Sequence, residues 1–206
     1  MNVLVRDKKV LMLFAHPDDE IICGWPVLQQ KDVEKIVLIC SNDANNPERE
    51  WCKHRGAALH ELMHALDIPY ICLDFNSGFY RMPTRPKPEL SETLRCIRDE
   101  ASAVDCDMIF THNPMGEYGH VDHVLIHQLA MTLGKPVLVT DMFVPMNWVP
   151  YQKFGNGFER MYGRSAHCGT EVSDLAFYQK CENVYRKHNV WTWCKLPVPK
   201  CELYML

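Results

Sequence analysis

A chain of 206 residues, 47% of them hydrophobic, is long enough to bury one substantial core and too short for two ordinary domains. With a formal net charge of −4 and no Lys/Arg block of five or more, it lacks the electrostatic footprint of a nucleic-acid binder, and a small neutral or anionic molecule is the expected partner. Nothing reaches the roughly 18 apolar residues that span a bilayer, so no transmembrane segment is expected and the protein reads as cytoplasmic.

The first apolar run, Val10–Ala15, follows a charged start and is too brief for a signal-peptide core. It predicts a strand, and it ends directly in Ala15-His16-Pro17-Asp18-Asp19-Glu20. A second strand is expected at Lys35–Cys40, then a helix over 47–66 with Leu59, Leu62, Met63 and Leu66 on one face and His60, Glu61, His64 and Asp67 on the other. Strands at Tyr70–Phe75, Met108–Thr111 and Pro136–Thr140 alternate with helices at 88–104 and 121–133. These strands are almost continuously apolar, as strands buried on both faces of a parallel sheet are.

The fold class expected is therefore α/β, a Rossmann-like parallel sheet flanked by helices with right-handed crossovers. From about 145 the alternation weakens and Gly, Tyr, Phe and Trp occur irregularly. The reading is a single domain with an α/β core over 1–144, then a loop-rich cap and one helix near 170–187 within 145–206. Ten cysteines are scattered without a Cys-x-x-Cys pair, which favours buried free thiols in a reducing compartment over a disulfide framework. No residue pattern bears on the oligomeric state.

Functional residues of an open parallel sheet collect just past the carboxyl ends of its strands. Two polar clusters stand at such ends, residues 15–20 after the first strand and His112-Asn113-Pro114-Met115-Gly116-Glu117-Tyr118-Gly119-His120-Val121-Asp122-His123 after the strand Met108–Thr111. A helix cap and a dipole partner account for two acids of the first cluster at most, leaving His16 and another Asp over. His16, Asp19 and His123 make a two-His, one-carboxylate set suited to a catalytic zinc with an open position. Asp18 beside them is placed to take the proton of an attacking water. His120 and Tyr118 remain as donors to an oxyanion, with Asp122 positioned to orient His120 and keep it protonated.

The string Ala15-His16-Pro17-Asp18-Asp19-Glu20, with Gly119-His120-Val121-Asp122-His123 downstream, resembles the LmbE-like superfamily, which includes N-acetylglucosaminyl-phosphatidylinositol de-N-acetylases. The resemblance runs over about residues 8–140 in element order and is literal only in those two strings. It implies a Rossmann-like fold, zinc held by His16, Asp19 and His123, and Asp18 as general base. It also implies His120 and Tyr118 near the oxyanion and Asp122 behind His120. The implied activity is zinc-dependent removal of an N-acetyl group from an N-acetylglucosamine-type sugar derivative, with Fe2+ as a possible substitute for Zn2+. Three departures bear on the substrate. Gly24-Trp25-Pro26 stands where the family has a Gly-Gly pair, and Ser41-Asn42-Asp43-Ala44 where it has Thr-x-Gly. Arg55 matches a substrate-facing arginine, but Ala58 replaces the acid that usually follows. Ser41, Asn42 and Arg55 are accordingly the expected substrate contacts.

Other readings compete. His60-Glu61-Leu62-Met63-His64 matches the His-Glu-x-x-His signature of zinc peptidases, yet its helix turns both histidines away from the apolar stripe and no third ligand follows. Two His and one carboxylate also form the facial triad of non-haem iron oxygenases, against which the adjacent Asp18 argues. A metal-dependent amidase acting on a non-sugar amide and a sugar-binding module are the remaining alternatives. His112 is read as structural. Trp25, Trp148, Trp191 and Trp193 are candidates to stack on a sugar ring, although packing accounts for most of them.

Overall fold

The computed structural model describes residues 5, 7–43, 47–78, 87–142, 166–193 and 199–206. The first half alternates as expected: β1 (Lys9–Phe14), the short helices α1 (Asp19–Ile22) and α2 (Trp25–Leu28), β2 (Glu34–Ser41), a 3-10 segment (Pro47–His54), α3 (Arg55–Leu66) and β3 (Tyr70–Phe75). It continues with α4 (Lys87–Ala103), β4 (Met108–Thr111), the one-turn α5 (Gly116–Gly119), α6 (Val121–Met131) and β5 (Val137–Thr140). The helix expected over 47–66 is broken: Arg49 lies at φ −134 and ψ 50, so the regular helix starts only at Arg55.

The strands form one seven-stranded sheet in the order β3-β2-β1-β4-β5-β7-β6. The first five pair in parallel. β6 (Ala166–Val172) and β7 (Lys200–Met205) add an antiparallel edge, β7 pairing with both β5 and β6. The final helix, α7 (Leu175–Lys187), lies close to where the sequence puts one. The two strands are the finding that the sequence reading lacks: β6 reads Ala-His-Cys-Gly-Thr-Glu-Val, with little apolar content, and only its edge position allows that. The part of the expected cap over 143–165, with Trp148, lies outside the described residues.

Alternation along each strand sends side chains to two cores. Val10, Met12 and Phe14 of β1 join Leu59, Leu62 and Met63 of α3 and Tyr178, Cys181 and Tyr185 of α7. Leu11 and Leu13 point the other way, onto Ile97 and Ala101 of α4 and Ile126, Leu129 and Ala130 of α6. Helices thus cover both faces, which is why the parallel strands carry no polar face. Nine cysteines among the described residues are free, and seven of these are buried. No helix among the described residues is long and apolar enough to cross a membrane.

The strand order reverses between β1 and β4, since β2 and β3 lie on one side of β1 and β4 and β5 on the other. Leu13 pairs with Thr111, so the segments that leave β1 and β4 emerge side by side. Side chains continue the pairing past the strands: Thr111 Oγ1 donates to Leu13 O at 2.7 Å and Ala15 N donates to His112 Nε2 at 3.0 Å. Phe110 packs edge-on against Phe14 in the core beneath this junction, with ring centroids 5.7 Å apart. Phe110→Ala should lower unfolding free energy by about 3–5 kcal/mol, measured by urea titration. A loss below about 1 kcal/mol, the scale of many surface changes, would show that the junction does not depend on this packing.

Candidate functional site

The turn after β1 is strained. Asp18, the residue before α1, has φ +97, a region that non-glycine residues avoid. Its backbone N–H is held by Glu20 Oε2 at 2.9 Å and by the Tyr185 hydroxyl at 3.1 Å. The chain closes tightly behind it, because a Cβ on Gly24 would come within 2.5 Å of the Glu20 carbonyl oxygen. After β4, Asn113 Oδ1 accepts the N–H groups of Met115 and Glu117, folding the loop into a side-chain-mimicked turn. Gly116 and Glu117 follow at φ +60 and +55. His120 then caps α6, its Nδ1 accepting the backbone N–H of Asp122 at 3.2 Å.

These turns bring three imidazoles around one buried carboxylate. Asp19 Oδ2 lies 3.1 Å from His16 Nδ1, 3.3 Å from His123 Nε2 and 3.5 Å from His112 Nε2. His16 Nε2 lies 3.1 Å from Asp122 Oδ2, which also accepts the N–H of Gly78. His123 Nδ1 lies 2.8 Å from Glu117 Oε2, while its buried Nε2 has no hydrogen-bond partner. Such an orphaned nitrogen, beside a carboxylate, fits a metal ligand. The separations of 3.1 and 3.3 Å also match the edge of about 3.3 Å in a tetrahedron with bonds of about 2.0–2.1 Å. Ring nitrogens of His16, His120 and His123 lie within 4.8 Å of one another. Nδ1 of His120 already serves the helix cap, so Asp19 is the better third donor.

Electrostatics divide the two adjacent acids. Burial would raise Asp19, but His123, His112 and His16 hold it well below the usual carboxylate range. Burial raises Asp18, only partly opposed by Arg55. Burial would raise Glu117 too, and His112 and His123 instead hold it down to about 2. Burial and the neighbouring His123 and His16 push His120 down to about 3, so its ring is neutral, not the protonated one expected. Burial raises the Tyr118 phenol, which keeps its proton.

Of the residues singled out from sequence, His16, Asp18, Asp19, Tyr118 and His120 line one cavity of about 120 Å³, with His123 and Asp122 directly behind. Asp122 needs a correction: its carboxylate stands behind His16, and His120 takes only its backbone N–H, because α6 begins there. Arg55 lines the same cavity, but its guanidinium is engaged by Asp18 Oδ1 at 2.8 Å and by the Pro17 carbonyl. Ser41 and Asn42 are not brought to the cavity; Ser41 is fully buried and donates to the Ala15 carbonyl, and Asn42 Nδ2 faces Cys72 Sγ. Trp25 is buried and Trp191 packs on Tyr178 and Tyr185, whereas Trp193 lines the cavity beside Tyr118.

Sequence reasoning missed Glu117, Thr192, Trp51 and Arg49. Thr192 Oγ1 donates to Asp18 Oδ2 at 3.0 Å from 174 residues away, which no local pattern reveals. Trp51, 51% exposed, and Arg49 sit at the cavity mouth. The His60–His64 motif lies on the outer face of α3, where His60 bonds the Tyr70 hydroxyl and Glu61 bonds Lys187 and His188. A larger cavity of about 490 Å³ opens at the amino ends of β2 and β3 but gathers no comparable set of acids and imidazoles.

A family model described as GlcNAc-PI de-N-acetylase matches residues 11–133. An uncharacterized protein, L374, of Acanthamoeba polyphaga mimivirus is 25% identical over 149 residues, 68% of this chain and 64% of its own length, so the match spans less than two thirds of that relative. Among solved structures, a deacetylase–teicoplanin complex from the teicoplanin biosynthesis pathway superposes with a TM-score of 0.60 at 11% identity, over 96% of this chain and 97% of the other. N,N′-diacetylchitobiose deacetylase from Pyrococcus horikoshii gives 0.53 at 16%, over 90% and 73%. A 4-carboxy-2-hydroxymuconate hydratase from Pseudomonas putida gives 0.52 at 13%, over 97% and 96%. At these identities the structures establish the fold, which carries more than one chemistry.

The Asp18–Arg55 pair is testable without any substrate. Arg55→Met strands a buried carboxylate and should cost about 3–5 kcal/mol in urea unfolding, with much of that recovered when Asp18→Asn is added. A loss below about 1 kcal/mol, the range of exposed pairs, would show that the ion pair does not hold Asp18.

Proposed function

The chain belongs to the GlcNAc-PI de-N-acetylase family, and we propose that it is a zinc-dependent N-deacetylase acting on an N-acetylglucosamine-type sugar derivative. The observation that carries this reading is the pair of neighbouring carboxylates with opposite surroundings, Asp19 among imidazoles and Asp18 buried against Arg55 and Thr192. His16, Asp19 and His123 would hold the ion, and bound zinc would supply a Lewis acid that polarises the amide carbonyl and acidifies water. Fe2+ suits the same donor set.

The chain's own groups then divide the work. Asp18, with its proton affinity raised by burial, takes a proton from the attacking water as the carbon–oxygen bond forms. When the carbon–nitrogen bond breaks, that proton goes to the departing amine, so the water is divided between acetate and amine. Arg55 and Thr192 hold the carboxylate still through both transfers. A neutral His120 whose Nδ1 accepts a backbone N–H carries its proton on Nε2, and this N–H, with the Tyr118 hydroxyl, is a donor for the oxyanion. Asp122 keeps the His16 proton on Nε2 and leaves Nδ1 toward Asp19.

The substrate reading rests on shape. A cavity of about 120 Å³ is below the roughly 300–1,000 Å³ of sites that enclose a whole ligand, so it suits the acyl end alone. The sugar would lie at the mouth, where Trp51 and Trp193 offer aromatic faces. Two proteins of the same fold are named as deacetylases of a teicoplanin pathway and of N,N′-diacetylchitobiose, in keeping with this class. The free buried thiols favour the reducing cytoplasm as the compartment. Arg55, expected to touch substrate, is instead assigned to Asp18.

Metal content and acetate release from a panel of N-acetylglucosamine derivatives test the proposal. Asp18→Ala should keep zinc and lower turnover by at least the 10²–10⁴-fold typical of general acid–base groups. His123→Ala should lose the metal, and the double change His60→Ala with His64→Ala should affect neither. Near-normal turnover in Asp18→Ala would remove it as the base, and absence of metal after repletion would sink the zinc mechanism. Trp51→Ala should raise KM about 2- to 10-fold, the range of worth of one aromatic contact, with kcat unchanged. An unaltered KM would move the sugar elsewhere, and zinc without acetate release from any sugar would point to another amide.

A further inference from the structure

We infer that Glu117 is a positioning residue, a buried carboxylate that holds a proton on His123 Nδ1 and so leaves Nε2 as the ring nitrogen that faces Asp19 and is open to a metal. This rests on the reading of His123 as a metal ligand. Glu117 is 1% exposed and stands at φ +55, where only glycine is at ease. A carboxylate kept there needs a reason. One oxygen has an ordinary one, since Oε1 accepts the backbone N–H of Asn113 at 2.8 Å and so closes the loop.

The other oxygen does something a loop does not require. Glu117 Oε2 lies 2.9 Å from His112 Nδ1 and 2.8 Å from His123 Nδ1. An ionised carboxylate only accepts, so both nitrogens carry protons and donate. For His112 this agrees with its far side, where Nε2 accepts the Ala15 N–H at 3.0 Å. The two rings are stacked, with centroids 3.7 Å apart and planes 17° from parallel. His112 therefore acts as a wall that sets the plane of His123, and Glu117 sets which of its nitrogens is free.

The alternative tautomer shows what is at stake. With its proton on Nε2, His123 would donate across 3.3 Å to Asp19 Oδ2, and both groups would be lost as ligands at once. Cys23, His112, Glu117 and His123 also form a compact group whose donor atoms lie within 4.8 Å of one another. It is not a second metal site, because both Nδ1 atoms and the Glu117 oxygens already satisfy each other. It is the support beneath the first.

Two variants test this. Glu117→Gln keeps the size but cannot accept all three N–H groups, and Glu117→Gly suits the left-handed backbone while removing the acceptor altogether. Nitrogen-15 NMR of the histidine rings in metal-free protein should show His112 and His123 with protons on Nδ1 in the parent. In Glu117→Gly, His123 should move its proton to Nε2. Zinc affinity, from competition with a chelator, should fall about 10–100-fold in both variants, the usual effect of losing such a partner, with the circular dichroism spectrum preserved. A His123 Nδ1 without a proton in the parent, or one that keeps its proton in Glu117→Gly, would overturn the inference. So would a changed tautomer with zinc affinity within about twofold of the parent. If the parent bound no zinc, the zinc reading would fall and the tautomers would still decide what Glu117 does.

Discussion

The parallel pairing of β1 with β4 is the constraint on which the rest depends. The strand order reverses at this pair, so the two crossovers leave in opposite directions and a crevice opens where they part. Two segments nearly 100 residues apart in sequence are set side by side there. The strands can be wholly apolar because helices cover both faces, and the polar groups of the chain are thereby concentrated past the strand ends. Had β4 paired elsewhere in the sheet, the segments that carry His16 and His123 would not leave it side by side.

Burial then makes that concentration chemically uneven. Asp18 and Asp19 are adjacent in sequence and both buried, yet one is raised and the other held down, because helix α1 begins between them and turns them to different neighbours. Positive φ values at Asp18 and Glu117 place strain on the two loops that build the site. Strain of this kind persists only where surrounding bonds over-determine it. The hydrogen bonds between the Tyr185 hydroxyl and the Asp18–Glu20 turn, and those that Asn113 Oδ1 accepts within its own loop, are those bonds.

The carboxyl-terminal third is part of this arrangement. β7 completes the sheet beside β5, and α7 seats Tyr185 under the first loop. The short segment after α7 carries Thr192 to Asp18 and Trp193 to Tyr118. A stretch that reads as irregular in composition thus contacts the base candidate directly. His112 shows the same principle within the motif region: read as a structural histidine, it is one, and its structural task is to flank His123.

The five parallel strands, four longer helices and both polar clusters were legible in the sequence, because each is a local pattern: apolar runs of strand length, amphipathic spacing, and acids and histidines crowded directly after a strand. So was the separation of His60 and His64 from the site, through the stripe Leu59, Leu62, Met63 on the opposite face of α3. Tertiary structure alone decided the partners. Asp122 goes to His16 and not to His120, Arg55 turns inward to Asp18, and Thr192 and Glu117 enter the site unannounced. Which hydrogen bond a buried polar group makes is set by what the fold brings within about 3 Å of it, and that depends on strand order and loop strain, which no window of sequence contains.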